Sequence, residues 1–202
     1  MGTRVRIAVI DSGVNPSHPH IARGSLGSGG GWPENDFLDR LGHGTAVMAA
    51  IQEKAPDAEF FAVRIFDREL RTNIDTLLAA IQWSVDQKMD IVNLSLGTSN
   101  PAHAEKFAPY LRSAIFISPA GAYPGDLPGV IRVAQDPNLA RDQYRFEGEI
   151  FLASSYPRPM PSVPPERNLN GVSFAVANMT GFVARACKNL QTLSHETLIA
   201  KL

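Results

Sequence analysis

Short apolar runs alternate with helix-periodic segments along almost the whole chain, and no other feature constrains the fold as tightly. Strands buried on both faces belong to parallel sheets, whose faces helices must cover. Residues 5–10 (Val-Arg-Ile-Ala-Val-Ile) read as the first strand, stopped by Asp11-Ser12-Gly13. Further strands are expected at 60–65, 90–96, 114–118, 130–134 and 149–153, and helices at 43–53, 73–87, 102–112 and 173–190, with a short one closing the C-terminus. The 73–87 helix is the clearest, because Ile74, Leu77, Leu78, Ile81 and Val85 share one face. Residues 24–33, rich in Gly, Ser and Pro, and the proline-rich 154–170 read as loops. The expectation is one α/β domain of three layers, a mostly parallel sheet with helices on both faces.

At 202 residues the chain suits a single domain. Lys plus Arg is 19 against 20 for Asp plus Glu, a formal net charge of -1, so no nucleic-acid or anionic-membrane partner is expected. No apolar run approaches the roughly 18 residues that cross a bilayer. Cys187 is the single cysteine, which excludes an internal disulfide, and its apolar helical setting predicts a buried, inert thiol. The N-terminal residues lack a signal-type apolar stretch, so a cytoplasmic location is expected.

Three residues invite chemistry. Asp11 closes the first strand, and ligands of open α/β sheets gather at carboxyl ends of strands. Asp-Ser-Gly is equally a simple turn. His43 opens a helix between Gly42 and Gly44, which leave its ring accessible; a lone histidine there is also compatible with a structural role. Ser173 begins a helix of small residues (Ala175, Ala177, Gly181, Ala184), where a serine is an ordinary N-cap. The free N–H groups of a helix start also suit a developing oxyanion. His18, His20, His103 and His195 lack such settings and read as surface residues. The order Asp, His, Ser is the order in which subtilisin carries its orienting carboxylate, base and nucleophile.

Five segments then resemble the subtilase family. Residues 7–13 (Ile-Ala-Val-Ile-Asp-Ser-Gly) resemble its Asp motif, 39–45 (Asp-Arg-Leu-Gly-His-Gly-Thr) its His motif, and 171–175 (Gly-Val-Ser-Phe-Ala) its Ser motif. Residues 62–67 and 90–97 resemble its central segment, and 123–131 the part that follows the oxyanion region. The resemblance implies Asp11, His43 and Ser173 as a triad and an extended substrate along Ser95-Leu96-Gly97. It also implies Gly121 and Asp39 in substrate binding, and no cofactor.

Departures accompany it. Where the family carries an oxyanion Asn, the run Ser118-Pro119-Ala120-Gly121-Ala122-Tyr123 has Ala122, leaving the Ser173 backbone N–H and Asn170 as candidate donors. Losing one such donor costs subtilisin roughly 10²–10³ in turnover. The loop expected between Ala122 and Tyr123 is missing, and with it part of the usual wall for the acyl residue's side chain. Val172 replaces the usual Thr, and Ala177 the usual Pro. The stretch after the His helix is cut to Glu53-Lys54-Ala55-Pro56, so no calcium is expected there. The resulting expectation is a narrow-specificity intracellular peptidase acting on a peptide or protein. The alternatives are a pseudoprotease that binds a peptide or partner, a transamidating variant, and a site completed by a partner protein.

Overall fold

The computed structural model describes residues 4–33, 36–161, 163–188 and 202. Eight strands form one sheet: β1 (Arg6–Asp11), β2 (Leu26–Trp32), β3 (Glu59–Arg64), β4 (Ile91–Leu94), β5 (Ile115–Pro119), β6 (Val130–Gln135), β7 (Tyr144–Glu147) and β8 (Ile150–Ala153). Their spatial order is β2-β3-β1-β4-β5-β6-β8-β7, parallel throughout except for the β7–β8 pair. The helices are α1 (His43–Gln52), α2 (Ile74–Asp86), the four-residue α3 (Ala104–Phe107) and α4 (Val172–Cys187).

Residues 7–11 of β1 are buried on both faces. Ile7 and Val9 face a core built with Val47, Ile51, Val176 and Val183 of α1 and α4. Ala8 and Ile10 face the other core, with Leu77 and Ile81 of α2 and Phe107 of α3. Period-2 alternation in a two-sided strand thus yields the three layers expected from the sequence.

Several expectations need correction. Residues 26–32 form the edge strand β2 rather than a loop. Gly27 and Gly31 are dictated by the neighbour: a methyl on Gly27 would lie 2.1 Å from the Phe61 ring, and one on Gly31 1.8 Å from Ala62 O. Strand β7 was not expected at all; Tyr144–Glu147 is mostly exposed and pairs on one side only. The expected 102–112 helix shrinks to a 3₁₀ turn (Pro101–His103) followed by α3, with Phe107 as its buried anchor. His18, His20 and His103 are partly exposed. The described residues of 154–170 are irregular, as expected, apart from a 3₁₀ turn at Pro165–Arg167. The end of the 173–190 helix, the C-terminal helix and His195 lie outside the described residues.

Cys187 is buried, and burial pushes its thiol up to about 12. Among the described residues no helix is long and apolar enough to cross a membrane, and no group of three or more His, Cys, Asp or Glu could hold a metal ion.

Candidate active site

The sheet order places β1, β4 and β5 side by side, so Asp11, Ser95 and Ala120 lie at or just beyond three neighbouring carboxyl ends. Asp11 is fully buried. Its Oδ1 accepts from Ser12 N–H at 2.7 Å and lies 2.7 Å from His43 Nδ1, while Oδ2 is buried with no partner among the described residues. A carboxylate held this way fixes the imidazole's orientation and favours a proton on Nδ1.

Local packing sets the position of His43. Helix α1 starts against the turn after β1, where a methyl on Gly44 would come 2.3 Å from Gly13 O. Gly13 has φ 97° and carries the chain past Phe37 O, so both glycines are required for this close approach. Asp39 then caps the helix from outside it. Oδ1 accepts from Ser12 Oγ–H (2.9 Å), Leu41 N–H (2.9 Å) and Gly42 N–H (2.8 Å). Oδ2 accepts from Thr45 N–H at 2.8 Å and from the Thr45 hydroxyl at 2.5 Å. Ser12 Oγ accepts in turn from Gly44 N–H at 2.8 Å. The Asp39 carboxylate, expected at the substrate, is filled by donors of its own chain and shapes the start of the His43 helix.

Burial is the largest influence on His43 and pushes its pKa down. The hydrogen bond to Asp11, the charge of Asp11 and the charge of Asp39 outweigh it, so the imidazole titrates above its usual 6.5.

Ser173 occupies the second position of α4, entered through Gly171 (φ 143°, ψ 176°). Among the described residues its N–H has no partner in the chain, as expected at a helix start. The adjacent Phe174 ring lies 5.3 Å from the His43 ring, centroid to centroid, which brings the starts of α1 and α4 together. Ser173 Oγ–H donates to Ser95 O at 3.1 Å, and no hydrogen bond joins it to His43.

Ser95 is buried, with its hydroxyl oxygen accepting from Asn93 Nδ2–H at 3.0 Å; Leu96 is half-buried and Gly97 exposed. Gly121 is exposed, its N–H donating to Asp126 Oδ1 at 3.0 Å. Ala122 carries no donor side chain and abuts Gly97. Asn170 is exposed, and among the described residues no hydrogen bond anchors its side chain.

Sequence reasoning missed Ser12 and Thr45, which join Asp39 to the Asp11 turn, and the buried pair Lys54 and Asn178 behind the site. The spacing of Asp39, six residues before Thr45, matches no capping-box pattern and gave no signal of a helix-capping carboxylate.

A family model described as "Subtilase family" matches residues 2–128. The chain belongs to the subtilase family. This subtilase is 36% identical over 112 residues to the minor extracellular protease Epr of Bacillus subtilis, an alignment covering 49% of the chain and 16% of Epr. It is 28% identical over 206 aligned positions to a thermostable alkaline protease of Halalkalibacterium halodurans, covering 91% of the chain and 56% of that protein. The chain therefore spans little more than half of these relatives at most. Among solved structures, a cold-adapted subtilisin-like serine proteinase matches with TM-score 0.75 at 19% identity, covering 96% of this chain and 79% of that one. A lanthipeptide protease matches with TM-score 0.73, also at 19% identity, covering 96% and 77%. These structures share the subtilase's fold.

Proposed function

We propose that this subtilase hydrolyses peptide bonds through an acyl-enzyme on Ser173. The observation that carries the reading is the 2.7 Å Asp11–His43 hydrogen bond, buried beside the helix start that bears Ser173. In the reactive arrangement the Ser173 hydroxyl exchanges its bond to Ser95 O for one to His43 Nε2. The Ser173 oxygen then attacks the substrate carbonyl carbon as Nε2 takes its proton. The carbon–nitrogen bond breaks, the amine leaves with the proton from His43, and a water molecule activated by His43 releases the acid. Asp11 stabilises the imidazolium without taking its proton. The Ser173 N–H faces the developing oxyanion, and Asn170 is the nearest side chain in sequence that could add a donor.

An extended peptide pairs with the main chain of Ser95-Leu96-Gly97, as peptides do at sheet edges. Beyond Leu96 a groove of about 660 Å³ includes Phe66, Leu70, Ile74 and Leu77, which suits apolar side chains of such a peptide. We place the enzyme in the cytoplasm with a narrow task, such as cutting one precursor peptide or one protein. A lone buried cysteine is compatible with that compartment. Acyl transfer to an amine instead of water would use the same site.

The second reading is a pseudoprotease that holds a peptide or partner. Ala122 at the oxyanion position and the bond of the Ser173 hydroxyl to Ser95 O favour it, whereas a partner protein that supplies the absent donor would complete the site and restore the peptidase reading.

The test is incubation with a pool of cellular proteins, reading new N-termini by mass spectrometry against Ser173→Ala. Cuts confined to a few sites and absent from the variant support the peptidase reading. No Ser173-dependent cut contradicts it, and cuts across many unrelated proteins contradict the narrow task.

A further inference from the structure

The carbonyl of Ser95, 3.1 Å from Ser173 Oγ, defines where an acyl donor must lie. A main-chain N–H that pairs with Ser95 O holds its own residue's carbonyl carbon two bonds away, next to the attacking hydroxyl. An extended chain sends successive side chains to opposite sides. Because β4 and β5 are adjacent and Ser95 and Ala120 follow their carboxyl ends, the protein side facing this residue is the crevice between the exits of the two strands, residues 95–98 and 120–123.

That crevice is shut. Thr98 N–H donates to Tyr123 O at 2.8 Å, and Tyr123 N–H to Thr98 O at 2.9 Å, so the two exits are paired as antiparallel neighbours. A methyl built on Gly97 would stand 2.7 Å from Ala122 Cβ and 3.0 Å from Tyr123 O. The turn behind is equally fixed, since a methyl on Gly125 would fall 1.8 Å from Pro119 O. Asp126 Oδ1 accepts from Gly121 N–H and from Arg132, each at 3.0 Å. An aromatic or long aliphatic side chain needs walls about 7 Å apart, twice the carbon contact distance. Here the walls touch each other.

We propose that the acyl residue, the one whose carbonyl Ser173 attacks, is restricted to glycine or alanine. This specificity rests on the peptidase reading and deepens it. Gly97 and Ala122 are its determinants, and the Thr98–Tyr123 pairing keeps the gap from opening.

The test uses peptides with Gly, Ala, Val, Leu, Phe or Lys at the acyl position and equimolar mixtures elsewhere, with cleavage rates read by mass spectrometry. A fluorophosphonate probe without a peptide side chain reads Ser173 reactivity in parallel. Cleavage after Gly and Ala about ten-fold or more faster than after the other four is expected, because even one unaccommodated methylene is worth about ten-fold. Ala122→Gly removes one methyl from the wall and raises the rate after Ala relative to Gly several-fold. Leu or Phe cleaved as fast as Gly overturns the proposal. So does labelling of Ser173 with no peptide cleaved, Gly and Ala included. Neither labelling nor cleavage overturns the peptidase reading itself, and the specificity falls with it.

Discussion

Lys54 Nζ lies 2.7 Å from Asn178 Oδ1, a buried contact between residues 124 positions apart that ties the end of α1 to the middle of α4. Asn178 is fully buried, and its Nδ2 donates to Ser154 O (2.9 Å) and Tyr156 O (3.0 Å). The residue between them, Ser155, accepts from Gly171 N–H at 2.9 Å, two residues before Ser173. A continuous polar path therefore supports the helix start that carries the nucleophile. Gly181 makes room for it, since a methyl there would meet the Lys54 side chain at 2.8 Å. Asn178→Ala strands both carbonyls and leaves the ammonium only its longer contacts to Glu53 Oε2 (3.3 Å) and Ala50 O (3.5 Å). It is expected to cost about 2–4 kcal/mol in chemical denaturation, from several unpaired buried groups.

Burial is the largest influence on Lys54 and lowers its pKa below 10.5, against the raising effect of Glu53. The unfolded chain then binds the proton more tightly than the folded one, so the charge weakens the fold below the depressed pKa. That penalty fades as pH rises towards 10.5. Lys54→Met removes the titration, and the expected result is a flatter stability curve between the depressed pKa and pH 10.5. An unchanged slope would contradict this account.

The raised pKa of His43 sets the pH dependence of the reaction. Its neutral form is the base, so activity should rise with pH through a midpoint above 6.5. The stability that the Asp11–His43 pair contributes has the opposite sense. It is fully present below 6.5 and is lost as pH rises through the raised pKa. Asp11→Asn removes the charge while burial remains, so the His43 midpoint, followed by NMR, should fall below 6.5.

Gly97→Ala is expected to destabilise the protein by about 1–3 kcal/mol, because its methyl would overlap Ala122 Cβ. Adding Ala122→Gly should recover much of that loss. A thermal-melt double-mutant cycle with no coupling would place the two residues apart.

Asp39→Ala leaves the N–H groups of Leu41, Gly42 and Thr45 without their acceptor. The expected cost is about 2–3 kcal/mol, through the lost cap. Turnover should fall with it, because the His43 ring loses its fixed helix start, whereas a direct substrate contact would appear mainly in KM.

The central strands and the Asp11, His43 and Ser173 positions were legible because each stands where an apolar run or a helical period begins or stops. Strand β2 was not, since its Gly27 and Gly31 answer to Phe61 and Ala62 across the sheet rather than to their own neighbours. Strand β7 is a mostly exposed edge with little apolar pattern to read. The role of Asp39 was hidden because its motif spacing says nothing about which donors reach it. Lys54 and Asn178 were hidden because polar residues inside an apolar pattern show a partner only after α1 and α4 pack.

The most direct test is labelling of the purified chain with a fluorophosphonate, followed by intact-mass and peptide mapping, for wild type, Ser173→Ala and His43→Ala. A single adduct on Ser173, absent from Ser173→Ala and strongly slowed in His43→Ala, is the predicted result. Wild-type labelling no faster than that of His43→Ala would mean that His43 does not activate Ser173, and would contradict the account.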